Sequence, residues 1–184
     1  MGNKKEIITN GARETRGLGE ILAKEITAAN KKLWTADNKK KALIIGLEGE
    51  LGSGKTAFVQ GLAMGLGIKE KITSPTFVIL KKYGIPNDIA ARKPLMAAIG
   101  KISKKTRLPR LPISSLAMTH FFHIDCYRIR ADDLLELGFE EIANNSQNII
   151  IIEWAEKVKK ILKNALWIKF EYVGENKRKI TIIY

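Results

Sequence analysis

Apolar residues recur along the chain in two rhythms, one typical of amphipathic helices and one typical of buried strands. Leu18, Leu22 and Ile26 follow one another at four-residue spacing, which predicts an amphipathic helix over 13–27. The run 149–152 consists of four isoleucines, so both faces of a strand at this position would be apolar. Strands covered on both faces have this composition, and we predict that 149–152 is a central strand of a sheet.

The remaining elements follow from the same two patterns and from the turn residues between them. We predict further strands at 7–8, 42–47, 76–80, 120–124, 166–173 and 179–184, and further helices at 57–66, 132–137 and 156–162. The last two strands flank a turn at 174–176, which predicts an antiparallel hairpin. Apolar strands that alternate with helices indicate a parallel sheet. The expected fold is α/β, with a mostly parallel central sheet and antiparallel C-terminal strands.

A phosphate-binding loop is predicted between the strand 42–47 and the helix 57–66. Residues 49–56 fit every fixed position of the pattern G-x-x-x-x-G-K-[ST], in which backbone N–H groups converge on an anion at a helix start. Lys55 is expected to reach the β- and γ-phosphates of ATP, and Thr56 is expected to ligate Mg²⁺. The predicted nucleotide-binding residues are Gly49, Glu50, Leu51, Gly52, Ser53, Gly54, Lys55, Thr56 and Ala57. The motif in this setting predicts the three-layer fold of the P-loop NTPases.

Two acidic residues follow predicted strands and complete the candidate site. Asp125 comes directly after the strand 120–124, and Glu153 comes directly after the isoleucine run. Ligands of α/β sheets bind at the carboxyl ends of the strands, so both acids are expected beside the loop. With Lys55 they form the predicted catalytic set. The spacing leaves open which acid binds Mg²⁺ and which orients the attacking water.

The net charge of +13 is unevenly distributed along the chain. Residues 84–119 contain seven basic side chains, a single acid and four of the five prolines. This composition predicts a basic insertion within one domain that spans 1–184. A solvated loop and an arm that contacts phosphates both remain possible functions of this segment.

The other chemistry-bearing residues are predicted to serve packing. Cys126 is the only cysteine, which excludes an intrachain disulfide, and no protease-type signature surrounds it. His120 and His123 are three positions apart in a strand and are therefore expected on opposite faces. Trp154 is expected in the core. No apolar run has the length of a membrane span, so we predict a soluble, cytoplasmic protein.

Four short motifs occur in a fixed order along this sequence. They are Gly49 to Thr56, Ser74-Pro75-Thr76-Phe77, His123-Ile124-Asp125-Cys126-Tyr127-Arg128 and Glu153-Trp154. Together they resemble the motif set of the TsaE (YjeE) family, small bacterial ATPases of the tRNA threonylcarbamoyladenosine pathway. The chain departs from that family at Ala155, where proline is common, and in the long separation of Tyr83 from His123.

The resemblance implies an Mg²⁺-dependent ATPase that acts with the TsaB–TsaD transferase pair and sustains its turnover without performing the transfer. It implies that Lys55 neutralises phosphate charge, that Thr56 and Glu153 hold Mg²⁺, and that Asp125 belongs to a switch-like catalytic segment. The residues implied at a switch or partner surface are Ser74, Pro75, Thr76, Phe77, Tyr127, Arg128 and Trp154. Contact with tRNA would be indirect or would use the basic insertion.

Two other function classes fit parts of the sequence. A small-molecule kinase or GTPase could be built on the same loop, although the guanine-binding pattern Asn-Lys-x-Asp is absent. A basic RNA-binding module could use the loop only to recognise phosphate. That module would keep its activity in Lys55→Ala, whereas an ATPase would lose it.

Overall fold

The chain folds around one seven-stranded sheet, described by a computed structural model for residues 3–29, 41–74, 78–86 and 119–184. The strands are β1 (Lys4–Asn10), β2 (Leu43–Gly49), β3 (Leu80–Gly84), β4 (His120–Asp125), β5 (Asn148–Glu153), β6 (Leu166–Gly174) and β7 (Lys177–Ile183). The helices are α1 (Gly11–Ala29), α2 (Lys55–Gly65), α3 (Ala131–Glu136), α4 (Phe139–Ala143) and a 3₁₀ helix (Ala155–Ile161). Across the sheet the strand order is β1-β7-β6-β2-β5-β4-β3.

Four parallel strands form the centre of the sheet. The pairs β6–β2, β2–β5 and β5–β4 are parallel, whereas β7, β1 and β3 join the edges in antiparallel pairs. The predicted mixed sheet, the C-terminal hairpin and the central position of β5 are confirmed. The hairpin also extends the parallel sheet through β6, which the sequence did not predict. Because parallel strands end at the same edge, Gly49, Asp125 and Glu153 come together at the carboxyl edge.

Helices cover both faces of this sheet and make three layers. Ile149 and Ile151 belong to the apolar cluster that includes α1 and α2. Ile150 and Ile152 belong to the cluster that includes α3, α4 and the 3₁₀ helix. All four side chains are fully buried. The run of four isoleucines is therefore explained by helices on both sides of β5.

Strand alternation decides which polar side chains face α2. In β4, Phe121 lies in the cluster of α1 and α2, so His123 and Asp125, two and four positions later, share its face. In β5, Ile151 has the same orientation, and Glu153 follows it by two positions. The three polar residues are thus directed toward α2, the helix that begins at the glycine-rich loop 49–56.

Glycines bring α1 and α2 into close contact. A Cβ atom added to Gly61 would lie 1.9 Å from the carbonyl oxygen of Arg16, and one added to Gly19 would lie 2.3 Å from that of Phe58. Neither space admits a side chain, because real Cβ contacts essentially never fall below 3.0 Å. The packing against α1 therefore fixes the position of α2, and with it the end of the loop.

The predicted strand at 76–80 is wrong in its described part. Val78 and Ile79 form a turn, and β3 begins only at Leu80. Ile79 has a φ of 66°, which lies outside the strand region, and the Leu80 N–H donates to the Val78 carbonyl at 2.8 Å. Positions 76–77 lie outside the described residues.

The predicted helices are confirmed with two differences. The predicted helix at 156–162 is the 3₁₀ helix Ala155–Ile161, with a non-helical backbone at Val158. The helix α4 was not predicted, because five residues with one buried side chain are too few to show helical periodicity. None of the helices within the described ranges is long and apolar enough to span a membrane.

The basic insertion 84–119 lies largely outside the described residues, but its two ends are defined. The Ile85 N–H donates to the Thr119 carbonyl at 2.9 Å and continues the antiparallel pairing of β3 with β4. The chain therefore leaves and re-enters the sheet at the amino end of β4. Asp125 lies at the other end of β4, at the edge of the sheet where the parallel strands have their carboxyl ends.

Candidate nucleotide-binding site

Glycines shape the loop at residues 49–56. Gly49, Gly52 and Gly54 have φ values of 145°, 74° and 104°, a region that other residues rarely adopt. A Cβ atom on Gly49 would lie 2.5 Å from the Phe170 carbonyl oxygen, and one on Gly52 would lie 2.7 Å from the Tyr172 hydroxyl. The loop therefore lies directly against β6, and side chains are excluded where it does so.

The ammonium group of Lys55 is held by backbone carbonyl groups at the start of this loop. Its Nζ donates to the carbonyl oxygens of Gly49 at 2.7 Å and Glu50 at 2.8 Å, and it lies 3.9 Å from the ring centroid of Trp154. Burial lowers the pKa of Lys55, and the nearby carboxylate of Glu153 opposes this effect. Lys55 also begins α2, so its charge coincides with the positive end of the helix dipole.

Thr56, Glu153 and His123 converge next to Lys55. The Thr56 hydroxyl lies 3.0 and 2.9 Å from the two carboxylate oxygens of Glu153. The Nε2 atom of His123 lies 2.8 Å from Oε1 of the same carboxylate, and both side chains are buried. Three elements contribute to this cluster: Thr56 lies in the first turn of α2, Glu153 at the end of β5 and His123 inside β4.

Asp125 lies opposite Glu153 in the register of β4 and β5 but has different partners. Its Oδ2 accepts a hydrogen bond from the Ser74 hydroxyl at 3.1 Å, and its Oδ1 accepts one from the backbone N–H of Tyr127 at 2.8 Å. The two acids are therefore not equivalent. Glu153 contacts the loop helix through Thr56, whereas Asp125 ties the segment at Ser74 to the segment after β4.

Aromatic and basic side chains form the rim of the site. The rings of Tyr127 and Trp154 lie 5.0 Å apart, and the Lys157 ammonium lies 4.9 Å from the Tyr127 ring and donates to the Tyr127 carbonyl. Trp154 is partly buried, packs against the apolar cluster of the 3₁₀ helix and contacts Lys55, so it lies between the core and the site. Tyr127 and Arg128 are exposed.

The cysteine and the two histidines that were predicted to serve packing differ in their surroundings. Cys126 is fully buried, and burial raises the pKa of its thiol to about 12, in agreement with a packing role. The His120 ring lies 6.3 Å from that of Phe122, on the face opposite His123, as strand alternation predicts. His123 was also predicted to serve packing, yet its side chain contacts the Glu153 carboxylate. Its position two residues before Asp125 in a strand is the signal that could have identified it.

Two residues of the C-terminal hairpin border the loop without any local sequence signal that predicts it. The Tyr172 hydroxyl donates to the Leu51 carbonyl at 3.2 Å. The Arg178 guanidinium lies 5.7 Å from the Tyr172 ring, and its Cδ would lie 3.4 Å from a Cβ atom on Gly54. These contacts depend on the parallel pairing of β6 with β2, which joins positions about 120 residues apart.

Glu156 adds a further carboxylate that the sequence analysis did not identify. It lies in the first turn of the 3₁₀ helix, and its Oε2 is buried without a hydrogen-bond partner among the described residues. Burial raises the pKa of Glu156, and the neighbouring Glu48 adds to the rise, while Lys55 and Lys157 oppose it. The site thus contains more acidic groups than the two strand-end residues.

The oxygen atoms at Thr56 and Glu153 fit a magnesium ion. Within the described ranges, no three His, Cys, Asp or Glu side chains form a metal-binding group. A magnesium ion at a nucleotide needs only one or two protein oxygens, because phosphates and water supply the rest. The Thr56 hydroxyl and the Glu153 carboxylate are such oxygens, and they already lie 2.9 Å apart.

Most of the predicted site residues lie at this one edge of the sheet. The structure brings together Gly49, Glu50, Leu51, Gly52, Ser53, Gly54, Lys55, Thr56, Ala57, Ser74, Asp125, Tyr127, Arg128, Glu153 and Trp154. The positions of Pro75, Thr76 and Phe77 lie outside the described residues.

Comparisons with known proteins give one consistent result. The family model described as "Threonylcarbamoyl adenosine biosynthesis protein TsaE" matches residues 9–93 and 112–180. The stretch it omits, 94–111, is shorter than the insertion predicted from composition, and it contains five of the seven basic residues.

Curated relatives carry the same name. A tRNA threonylcarbamoyladenosine biosynthesis protein TsaE from Bacillus subtilis is 34% identical over 158 residues, which are 85% of this chain and 78% of that protein. The proteins of the same name from Treponema pallidum and Rickettsia felis are 30% and 31% identical and cover 76% and 96% of this chain, and 80% and 78% of their own lengths.

A solved structure shares the fold. The crystal structure of YdiB from Bacillus subtilis superposes with a TM-score of 0.59 at 22% identity, and the match covers all of this chain and 86% of that one. The family model and the curated relatives each cover most of the sequence, and the range matched by the family model includes the loop, both strand-end acids and the residues around them. The chain belongs to the TsaE family of tRNA threonylcarbamoyladenosine biosynthesis proteins.

Proposed function

We propose that this protein is an Mg²⁺-dependent ATPase of the P-loop NTPase fold that sustains the turnover of a TsaB–TsaD-type transferase pair. One observation carries the proposal. The lysine and threonine of the loop face a buried acid from a neighbouring strand, with Thr56 and Glu153 in direct contact. Membership of the TsaE family supports the pathway, because the relatives are named for threonylcarbamoyladenosine biosynthesis in tRNA.

The loop binds the phosphates of ATP in this proposal. Its backbone N–H groups and the first turn of α2 provide donors, and Lys55 provides a positive charge that is already positioned by two carbonyl oxygens and the Trp154 ring. A charge that is oriented before the substrate arrives stabilises the negative charge that develops during phosphoryl transfer at little reorganisation cost.

Thr56 and Glu153 would hold the magnesium ion, which supplies positive charge to the phosphate oxygens when it is bound. Asp125 would orient the attacking water, because its carboxylate lies at the same edge of the sheet and is held by Ser74 and Tyr127, whereas Thr56 donates to Glu153. The Ser74 hydroxyl and the Tyr127 N–H fix both of its oxygens. Asp125 therefore links the hydrolytic site to two segments that can respond to a partner.

Hydrolysis by the isolated chain is expected to be slow. Arg128, the only arginine within the four motifs, is exposed at the rim. Stimulation by the transferase pair would then act through the surface formed by Tyr127, Arg128 and Trp154. An arginine that approaches the phosphates only in a complex is a common way to control such enzymes.

The basic insertion is assigned a supporting role. We propose that the positive charge of 84–119 adds an electrostatic contact to tRNA or to an acidic face of the partner. The segment joins the sheet at the edge away from the loop, so this contact would be separate from ATP binding.

ATP turnover, measured alone and with the transferase pair, tests the proposal. Lys55→Ala and Glu153→Ala should each abolish the stimulated turnover while the circular dichroism spectrum is unchanged. The exposed residues Lys71 and Glu140 provide matched controls, and their alanine variants should retain full turnover. If both site variants keep wild-type turnover, the site assignment is wrong.

A further inference from the structure

We propose that His123 is a positioning residue for the magnesium ligand Glu153, an inference that rests on the proposed function. His123 lies in the interior of β4, two residues before Asp125, and its side chain is fully buried. Its Nε2 lies 2.8 Å from Oε1 of Glu153. No described residue other than Glu153 forms a hydrogen bond with this imidazole, so the ring is oriented by the carboxylate and orients it in return.

The hydrogen-bond partners assign the tautomer of the ring. The Nδ1 atom of His123 is buried and has no partner among the described residues. A proton on Nδ1 would leave a buried N–H without an acceptor, whereas a proton on Nε2 is donated to the carboxylate. The geometry therefore places a proton on Nε2, which is donated to Oε1 of Glu153.

This donor limits how the Glu153 side chain can turn. The imidazole holds Oε1, and the Thr56 hydroxyl lies about equally far from both oxygens. With Oε1 held by the imidazole, the carboxylate keeps its oxygens 3.0 and 2.9 Å from the Thr56 hydroxyl, where the proposed magnesium ligands meet. Residues that donate to a metal ligand in this way typically contribute a factor of about 10–100 to metal affinity.

The alternative is that His123 merely fills space in the core. A packing role predicts that a side chain of similar volume without a donor preserves metal binding. A positioning role predicts that metal binding requires a donor at the Nε2 position. His123→Leu removes the donor, and His123→Gln restores an N–H group at about the same distance from the backbone.

The experiment measures the binding of Mn²⁺ to the ADP complex by electron paramagnetic resonance, together with the affinity for ADP in the absence of metal. His123→Leu should weaken Mn²⁺ binding by about 10–100-fold and leave metal-free ADP binding unchanged. His123→Gln should restore most of the loss. His120→Leu, which alters a histidine of the same strand on the opposite face, is the matched control and should bind Mn²⁺ like the wild type.

Three outcomes would overturn the inference. Wild-type Mn²⁺ affinity in a folded His123→Leu variant would show that the donor is not required. An equal loss of Mn²⁺ affinity in the leucine and glutamine variants would show that a donor at this position does not restore the site, which contradicts the positioning role. If the leucine variant does not fold, nitrogen NMR of the wild-type protein can locate the proton on the His123 imidazole. A proton on Nδ1 instead of Nε2 would contradict the proposed hydrogen bond to Glu153.

Failure of the proposed function is distinguishable from failure of this inference. If the wild-type protein binds ADP no more tightly with metal than without it, the magnesium site itself is absent. If the wild type binds Mn²⁺ and the leucine variant binds it equally well, the site stands and only the role of His123 is wrong.

Discussion

Replacing Gly61 by alanine should destabilise the protein, although alanine is the better helix former. Gly61 lies inside α2, and the added Cβ atom would lie 1.9 Å from the backbone carbonyl oxygen of Arg16 in α1. An ordinary contact begins at 3.4 Å, so α1 and α2 would have to separate by about 1.5 Å. The obstacle is backbone rather than the end of a flexible side chain, so no rotamer change can relieve it.

The expected cost follows from two opposing effects. Extra atoms in a packed interior cost about 1–3 kcal/mol, and an alanine in a helix gains about 1 kcal/mol over glycine. Because a whole helix must move, we expect the upper end of that range and a net loss of about 2 kcal/mol. For a chain of this size that loss lowers the melting temperature by roughly 4–8 °C.

Thermal and urea unfolding of Gly61→Ala would measure this loss. Gly84→Ala is the matched control, because a Cβ atom at Gly84 meets nothing within 4 Å. Its stability should stay within about 0.5 kcal/mol of the wild type. Since α2 carries Lys55 and Thr56, Gly61→Ala should also weaken ATP binding. A Gly61→Ala protein that is as stable as the wild type would refute the packing argument.

Two further predictions concern charge. Glu156→Gln should raise the melting temperature at pH 7. Burial raises the pKa of Glu156 in the folded state above 4.5, so the ionised carboxylate lowers the stability of the wild-type fold as the pH rises above that value. Scanning fluorimetry between pH 4 and 8 should show the difference grow with pH, and a constant difference would contradict the electrostatic cause. Deletion of 94–111, which carries five basic residues and no acid, should reduce the salt dependence of tRNA binding by the assembled transferase complex. An unchanged dependence would exclude the proposed contact of the insertion with tRNA.

The central strands and the loop could be predicted from sequence because their signals are local. The isoleucine run of β5 and the glycine-rich motif each specify a structure within a few residues, and the acids at the ends of β4 and β5 are placed by the strands themselves. Asp125 and Glu153 thus needed only the rule that parallel strands end at one edge.

The missed features depend on contacts between distant parts of the chain. His123 becomes part of the site only because β4 lies beside β5, and Tyr172 borders the loop only because β6 pairs with β2. Strand order is not encoded in the spacing of apolar residues. The turn at Ile79 was missed for a different reason, since an isoleucine with positive φ contradicts the strand preference of its own side chain.

A crystal structure with a non-hydrolysable ATP analogue and Mn²⁺ would test the central claim most directly. The account predicts that the phosphates lie in the loop at 49–56 with the Lys55 ammonium against them. The anomalous signal of the metal should lie about 2.0–2.2 Å from the Thr56 hydroxyl oxygen, beside the Glu153 carboxylate. A metal remote from Glu153, or an analogue bound outside the loop, would contradict it.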